Sequence, residues 1–428
     1  MSAKQHSSVF SRRQVGVALY AALVVFLAYA SIFAYRKAFT AASFNGLKYW
    51  GVSYQTLLII SQVIGYMLSK FYGIKFIAEL KRMGRWKTTV ILTGIAWFAM
   101  FLFGITPAPY GMIFLFINGF VLGFLWGVIF SYVEGRRATD FIGLALAVSF
   151  IFAGGFSRSV GKWLMMEWGV SEEWMPFMTG LVFALPLALF IFLMERIPLP
   201  DADDINERTV RQPMTGKDRK YFIKKFGLGI VFITITYLFL TVIRDIRDNY
   251  MANIWTELGY GKNYSIFTKT ETRTSLIILL LMSSIVMIRK NIKAFRLVHI
   301  IILTGFLLAG ISSWLFINHK ITGAWWMQLV SLGLYMGYIP FNSIFFERLI
   351  ATFKITGNVG FLIYIADSFG YLGSVSVMLT KEFLNLKLSW SQFYSQGVVW
   401  VSVLGVIGTV LSLIYFNKKY LADKRAKS

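Results

Sequence analysis

A chain of 428 residues that is 57% hydrophobic and 15% charged is too apolar for a soluble domain, where roughly 45–50% of residues are apolar. A net charge of +23 would point a soluble protein towards nucleic acid; here membrane topology absorbs it, and no nucleic-acid partner is expected. With no cysteine and only His6, His299 and His319, neither a thiolate nor a histidine metal site can be assembled, and no metal or cofactor is expected.

Apolar segments of about 20 residues, the length that crosses a bilayer core as a helix, recur along the whole chain. Barrel strands would instead alternate every second residue. In chain order the segments are 15–38, 52–72, 88–106, 110–133, 141–164, 175–195, 224–248, 273–289, 296–317, 324–346, 357–380 and 393–416. The predicted fold is an all-α integral membrane protein with 12 transmembrane helices. Ser11-Arg12-Arg13 precedes the first segment, but the following run is too long for a signal peptide and reads as a retained span.

The one long polar stretch, Arg196 to Lys225, holds Pro198, Pro200, Pro213 and the acidic run Asp201-Ala202-Asp203-Asp204. It divides the chain into an N-terminal six-helix bundle (1–195), a linker (196–225) and a C-terminal six-helix bundle with a basic tail (226–428). Most of the 43 Lys and Arg fall on the side of the termini, which places the linker and both termini in the cytoplasm and the protein in the plasma (inner) membrane. The tail from Lys418 to Lys427 is expected to touch anionic lipid. Two six-helix halves around a midplane site are the arrangement of the major facilitator superfamily.

Charged residues inside spans are costly, roughly 2.5–3.5 kcal/mol at a span centre, and persist where they face a cavity or a partner. Tyr35-Arg36-Lys37 ends the first span, and Arg244-Asp245-Ile246-Arg247-Asp248 ends the seventh. Arg36 and Lys37 are about 100° apart on a helix, so only one is expected to face a shared cavity, Arg36 before Lys37; snorkelling to the surface is the alternative for both. Arg244 and Asp248 are four apart, which predicts an internal ion pair; alternatively Arg244 is the deepest cation and contacts substrate, with Asp245 or Asp248 holding it. Arg247 belongs to the same coupling or gating group. Lys70, in Gly65-Tyr-Met-Leu-Ser-Lys-Phe, either snorkels or reaches the cavity. Asp367, in the eleventh span, lacks a cation within one turn; it pairs with Lys70 or carries a coupling proton. Arg158 is the only ionisable residue of the fifth span's core and lines the cavity or a gate. Glu134, Arg136 and Arg137, and Glu347 with Arg348, are expected to close the inner face. Glycines 154, 155, 370 and 373 are read as sites of close helix packing, and most aromatics as lipid-facing or packing residues.

Tyr35-Arg36-Lys37 followed by Ser69-Lys70-Phe71, with Asn118-Gly-Phe-Val-Leu-Gly-Phe-Leu-Trp-Gly, resembles the organophosphate:phosphate antiporters. These are the glycerol-3-phosphate and hexose-phosphate transporters of the major facilitator superfamily. The resemblance implies phosphate binding by Arg36 and Arg244, with Lys70 close to the same cavity. The chain departs from that family in lacking a fifth-span histidine and its compact Asp-Arg motif after span two.

The expected function is secondary active transport of a small organic anion by alternating access, a phosphorylated or carboxylated metabolite clamped between Arg36 and Arg244. Two cations suit the phosphate charge of about −1.5 to −2. The rivals are a proton-coupled symporter or solute exporter using Asp367, and a non-transporting receptor of the same fold. No catalytic constellation is visible, and no enzyme activity is expected; no Gly-x-x-x-x-Gly-Lys loop suggests ATP drive. The expected partners are a small anionic solute and a bilayer with anionic lipids, around a monomer.

Overall fold

The structure, a computed structural model, describes residues 11–425 apart from 80–83, 135, 137, 202–203, 205–215, 289, 354–358 and 385–387. Arg137, Asp203 and much of the linker lie outside the described residues. Thirteen α-helices are described: α1 (Arg12–Lys37), α2 (Tyr54–Glu79), α3 (Arg85–Ile105), α4 (Met112–Phe130), α5 (Thr139–Glu167), α6 (Met175–Glu195), α7 (Gly216–Glu257), α8 (Ser265–Val286), α9 (Asn291–Ile317), α10 (Gly323–Ser343), α11 (Phe345–Phe353), α12 (Val359–Phe383) and α13 (Trp390–Arg425). Eight of these are long and apolar enough to cross a membrane, and α10 with α11, bent by 50°, makes a ninth. The second, eighth and eleventh expected segments coincide with α2, α8 and α12, so the arrangement is consistent with twelve crossings.

Local chemistry explains several boundaries. Ser11 and Gln14 form a reciprocal capping box that starts α1, Ser11 Oγ accepting from the Gln14 N–H at 3.2 Å and Gln14 Oε1 from the Ser11 N–H at 3.0 Å. α1 then tightens into a 3₁₀ turn over Ala38–Ala41. A short hairpin pairs Lys48–Tyr49 with Val52–Ser53; its two turn residues, Trp50 and Gly51, both have positive φ, 53° and 79°, as a two-residue hairpin of this twist requires. α7 breaks at Tyr250, where φ is −112° and ψ 17°. Pro340 inside α10 removes a backbone donor just before the bend into α11.

Helix packing follows the small residues. A Cβ on Gly119 of α4 would lie 2.2 Å from the Gln62 carbonyl oxygen of α2, so only glycine permits this crossing. Gly370 and Gly373 likewise let α12 approach Thr241, Leu238 and Val242 of α7, in keeping with the packing role read from the sequence. Arg136 and Arg348 contact neighbours close by, the Pro198 carbonyl and Asn291 Oδ1 respectively.

At the end where the described termini lie, Gln14 of α1 contacts Asp201 of the linker and Lys225 of α7 pairs with Asp423 of α13. At the opposite end hydrogen bonds tie the first six helices to the last. Ser53 and Thr56 donate to Glu382 Oε1 at 2.5 and 2.7 Å, Thr56 meets the Tyr250 hydroxyl at 2.6 Å, and Gln55 donates to Asn253 at 2.9 Å. On α5, Ser159 donates to the Tyr264 carbonyl and accepts from Thr268, both at 2.6 Å. Gly155 makes this α5–α8 contact possible: a Cβ there would meet the Phe267 carbonyl oxygen at 2.6 Å. Gly155→Val should therefore push this end apart. Because the chain has no cysteine, Ser53→Cys with Glu382→Cys can report on it, and disulfide formation in that pair should fall several-fold when Gly155→Val is added. Equal cross-linking would contradict the assigned role of Gly155.

Candidate functional site

A cavity of about 180 Å³ lies between α1, α2, α4 and α5 on one side and α7, α10 and α12 on the other. Its lining contains four cations, Arg36, Lys37, Lys70 and Arg244, and three carboxylates, Asp245, Asp248 and Asp367. Tyr29, Tyr66, Tyr338, Tyr371, Phe33, Phe150 and Trp126 supply most of the remaining wall.

Arg36 is positioned by the end of its own helix. The last carbonyls of a helix have no intrahelical partner, and here buried amides take them. Gln62 Nε2 donates to the Arg36 carbonyl at 2.8 Å and to Asn118 Oδ1 at 2.9 Å, while Asn118 Nδ2 donates to the carbonyls of Tyr35 and Ala96 at 3.0 and 3.1 Å. The motif residue Asn118 thus acts by fixing the outer turn of α1 against α2, α3 and α4. The Arg36 guanidinium carbon lies 3.6 Å from the centroid of the Tyr66 ring, a cation–π contact, and its Nε is buried without a hydrogen-bond partner. Lys70, one turn after Tyr66 on α2, places its ammonium 4.8 Å from the same ring.

Lys37 corrects one expectation. Both Arg36 and Lys37 reach the cavity, although adjacent helical positions point 100° apart. The 3₁₀ turn begins at Ala38, and Lys37 has φ −111°. Its long side chain crosses to α7, where the ammonium donates to Asn249 Oδ1 at 2.5 Å.

Arg244 takes one of the two partners read for it. Instead of pairing with Asp248 one turn away, it donates from Nε and Nη2 to Asp245 Oδ1 at 3.1 and 2.5 Å, and from Nη1 to the Tyr338 hydroxyl. Tyr338 in turn lies 3.2 Å from the Tyr237 hydroxyl, and Tyr237 donates to Asp367 Oδ1 at 2.5 Å. An ionised carboxylate only accepts and a hydroxyl carries one proton, so Tyr237 gives its proton to Asp367. Tyr338 then supplies the hydrogen between the two hydroxyls. The result is a continuous chain from Arg244 through two tyrosines to Asp367. Lys70 and Asp367 therefore share the cavity, and the Asp367 contact seen here is with Tyr237.

Arg158 and Arg247 are not in the lining. Arg158, 1% exposed, donates to Thr40 Oγ1 at 2.9 Å, to the Gly154 carbonyl at 2.7 Å and to the Asp248 carbonyl. It fastens α5 to α7 and to the turn after α1, outside the cavity lining. Arg247 is fully buried; it pairs with Glu271 of α8 at 2.5 Å and lies 3.7 Å from Asp248. Asp248 accepts from the Tyr335 hydroxyl at 3.2 Å, and Ser331 is 3.4 Å from Glu271.

Glu271, 1% exposed, is a residue that sequence reasoning missed. The expected eighth span began at 273, whereas α8 begins at Ser265, so Glu271 falls inside the helix. A helical reading of Lys269-Thr-Glu-Thr-Arg273 would have found it. The cavity tyrosines were also missed; Tyr66 four residues before Lys70, and Tyr371 four residues after Asp367, were the available signals.

Residues 38–419 match the model of DUF5690, described as a family of unknown function. No curated protein matches the chain. Among solved structures the chain resembles a point mutant of the nucleoside transporter NupG, with a TM-score of 0.62 at 14% identity over 94% of this chain and 100% of that one. NupG without that mutation gives 0.61 at 14% identity, covering 94% and 99%. The D-xylose-proton symporter gives 0.60 at 15% identity, covering 92% and 97%. These likenesses extend over nearly the whole length of both chains, and they establish the fold. The chain belongs to the DUF5690 family and has the fold of the major facilitator transporters.

Proposed function

We propose that the chain is a secondary active transporter that moves a small organic anion, a phosphorylated or carboxylated metabolite, by alternating access. The halves 1–195 and 226–428 move about the cavity, and the linker 196–225 joins them on the cytoplasmic side of the inner membrane, with both termini. The observation that carries the reading is the convergence of Arg36, Lys37, Lys70 and Arg244 on one cavity, with a buried donor of Arg36 left unpaired. Arg36 and Arg244 reach the anion from opposite halves, and Lys70 adds charge beside Arg36. The resemblance to organophosphate antiporters supports exchange against inorganic phosphate. A cavity of about 180 Å³ is below the roughly 300–1,000 Å³ of pockets for drug-sized ligands, which favours a small metabolite over a drug.

The test is ligand-induced stabilisation of the purified protein by a panel of sugar phosphates, carboxylates and neutral sugars. A ligand at about 100 times its Kd stabilises the fold by roughly 2.7 kcal/mol. Anions are expected to raise the melting temperature and neutral sugars to leave it unchanged; stabilisation by neutral solutes alone would contradict the reading.

The burial of Asp367 in the cavity wall favours one alternative, proton-coupled symport with Asp367 as the proton carrier. In that case uptake depends on an imposed pH gradient, and Asp367→Asn removes the dependence. Uptake that ignores the gradient would exclude it.

A further inference from the structure

Two side chains of the cavity wall each carry a buried atom without a hydrogen-bond partner, and the two atoms have opposite character. Nε of Arg36 is a donor without an acceptor, and Oδ2 of Asp245 is an acceptor without a donor. Both side chains line the same cavity, and Asp245 is only 5% exposed. The other oxygen of Asp245 is already taken by Arg244, which donates to it twice. Arg244 therefore fixes the orientation of the carboxylate without satisfying it. A buried polar group left unpaired is costly, and more so when charged. A solute that is only an anion would satisfy Arg36 and be repelled by Asp245.

We infer that the substrate is a zwitterion, with a phosphate or carboxylate against Arg36 and an ammonium against Asp245. This rests on the anion reading above and narrows it to amine-bearing members of that class. The charge of the lining agrees. Four cations against three carboxylates leave a formal excess of one positive charge. A phosphate ester carries about −1.5 to −2, and an ammonium on the same molecule brings the total close to −1. Such a solute nearly neutralises the lining, whereas a phosphate without the amine overshoots. A carboxylate zwitterion has no net charge, so the charge count supports the phosphate members and the unpaired atoms alone support the carboxylate ones. The two recognition groups also come from different halves, Asp245 on α7 and Arg36 on α1. A solute with both groups bridges the halves and favours their closing around it.

The test compares matched probes on purified wild-type protein by isothermal titration: O-phosphoethanolamine, ethyl phosphate and ethanolamine, then β-alanine, propionate and ethylamine. In at least one set the amine-bearing anion is expected to bind roughly ten- to hundredfold more tightly than the plain anion, the range of one charged hydrogen bond. The plain amine should not bind. Asp245→Asn should bring the preference in that set close to one. If plain anions bind as well as amine-bearing ones, the zwitterion inference is overturned and the anion reading stands. If no anionic probe binds, both fall. Should Asp245→Asn fail to fold, the wild-type comparison alone decides.

Discussion

Arg36→Gln is expected to reduce anion uptake roughly hundredfold while leaving the protein folded, and Arg244→Gln to do the same. Glutamine keeps a donor and much of the volume but loses the charge and the planar fork that engages phosphate or carboxylate with two parallel bonds. Hydrogen bonds to charged groups contribute roughly 1.5–3 kcal/mol each, and a loss of about 2.7 kcal/mol is a hundredfold. Both side chains sit at the cavity wall, where a change of charge is tolerated better than in the packed core. The two variants should differ in one respect. Arg36 rests on Tyr66 and has no carboxylate bonded to it among the hydrogen bonds described, so its loss is mainly a loss of substrate. Arg244 holds Asp245 and Tyr338, so its loss also frees a carboxylate and breaks the chain to Asp367. Arg36→Lys should recover part of the uptake, because charge returns without the fork. Uptake unchanged in both glutamine variants would remove the clamp.

Glu271→Gln is expected to destabilise the protein by about 1.5–3 kcal/mol, the range of a charged hydrogen bond, because Arg247 keeps Asp248 at 3.7 Å as a second anion. Arg247 is fully buried and lies 2.5 Å from Glu271, and two of its nitrogens, Nε and Nη1, already lack hydrogen bonds. Removing the carboxylate's charge leaves the buried guanidinium with the more distant Asp248, which accepts from Tyr335, as its remaining anion. Replacing both residues with methionine should recover most of the lost stability, since apolar residues of similar volume often substitute for a buried ion pair without penalty. Thermal unfolding in detergent separates the cases: the single variant melts well below wild type, the double variant near it. A Glu271→Gln protein that melts with wild type would show that the pair contributes little.

The spans were legible because hydropathy is a strong signal in a chain this apolar: each of the twelve expected segments coincides with a helix. Ends were harder to read. A hydropathy window discards polar turns, and for that reason it trimmed α8 at 273 and hid Glu271, although the helix begins eight residues earlier at Ser265. Cavity-lining cations were legible as charges where hydropathy should have removed them, and Arg36, Lys70, Arg244, Asp245, Asp248 and Asp367 all reach one cavity. Their partners were not legible. The choice of Asp245 over Asp248 by Arg244 depends on where Tyr338 sits on α10. The reach of Lys37 depends on a 3₁₀ turn that helical geometry does not anticipate. Arg158 could be seen as unusual, but its contact with the α7 backbone is a property of two helices meeting and leaves no mark in either segment. The tyrosines were hidden by abundance: with 21 of them in the chain, composition alone could not single out the four at the cavity.

The most direct test of an anion carried between Arg36 and Arg244 is counterflow in proteoliposomes. Vesicles loaded with phosphate or an amine-bearing phosphate ester are diluted into a trace of the same labelled anion, with wild type beside Arg36→Gln. Transient accumulation of label by wild type, abolished by the substitution, is the predicted result. No accumulation of any anion by a folded wild type, or accumulation that Arg36→Gln leaves intact, would contradict it.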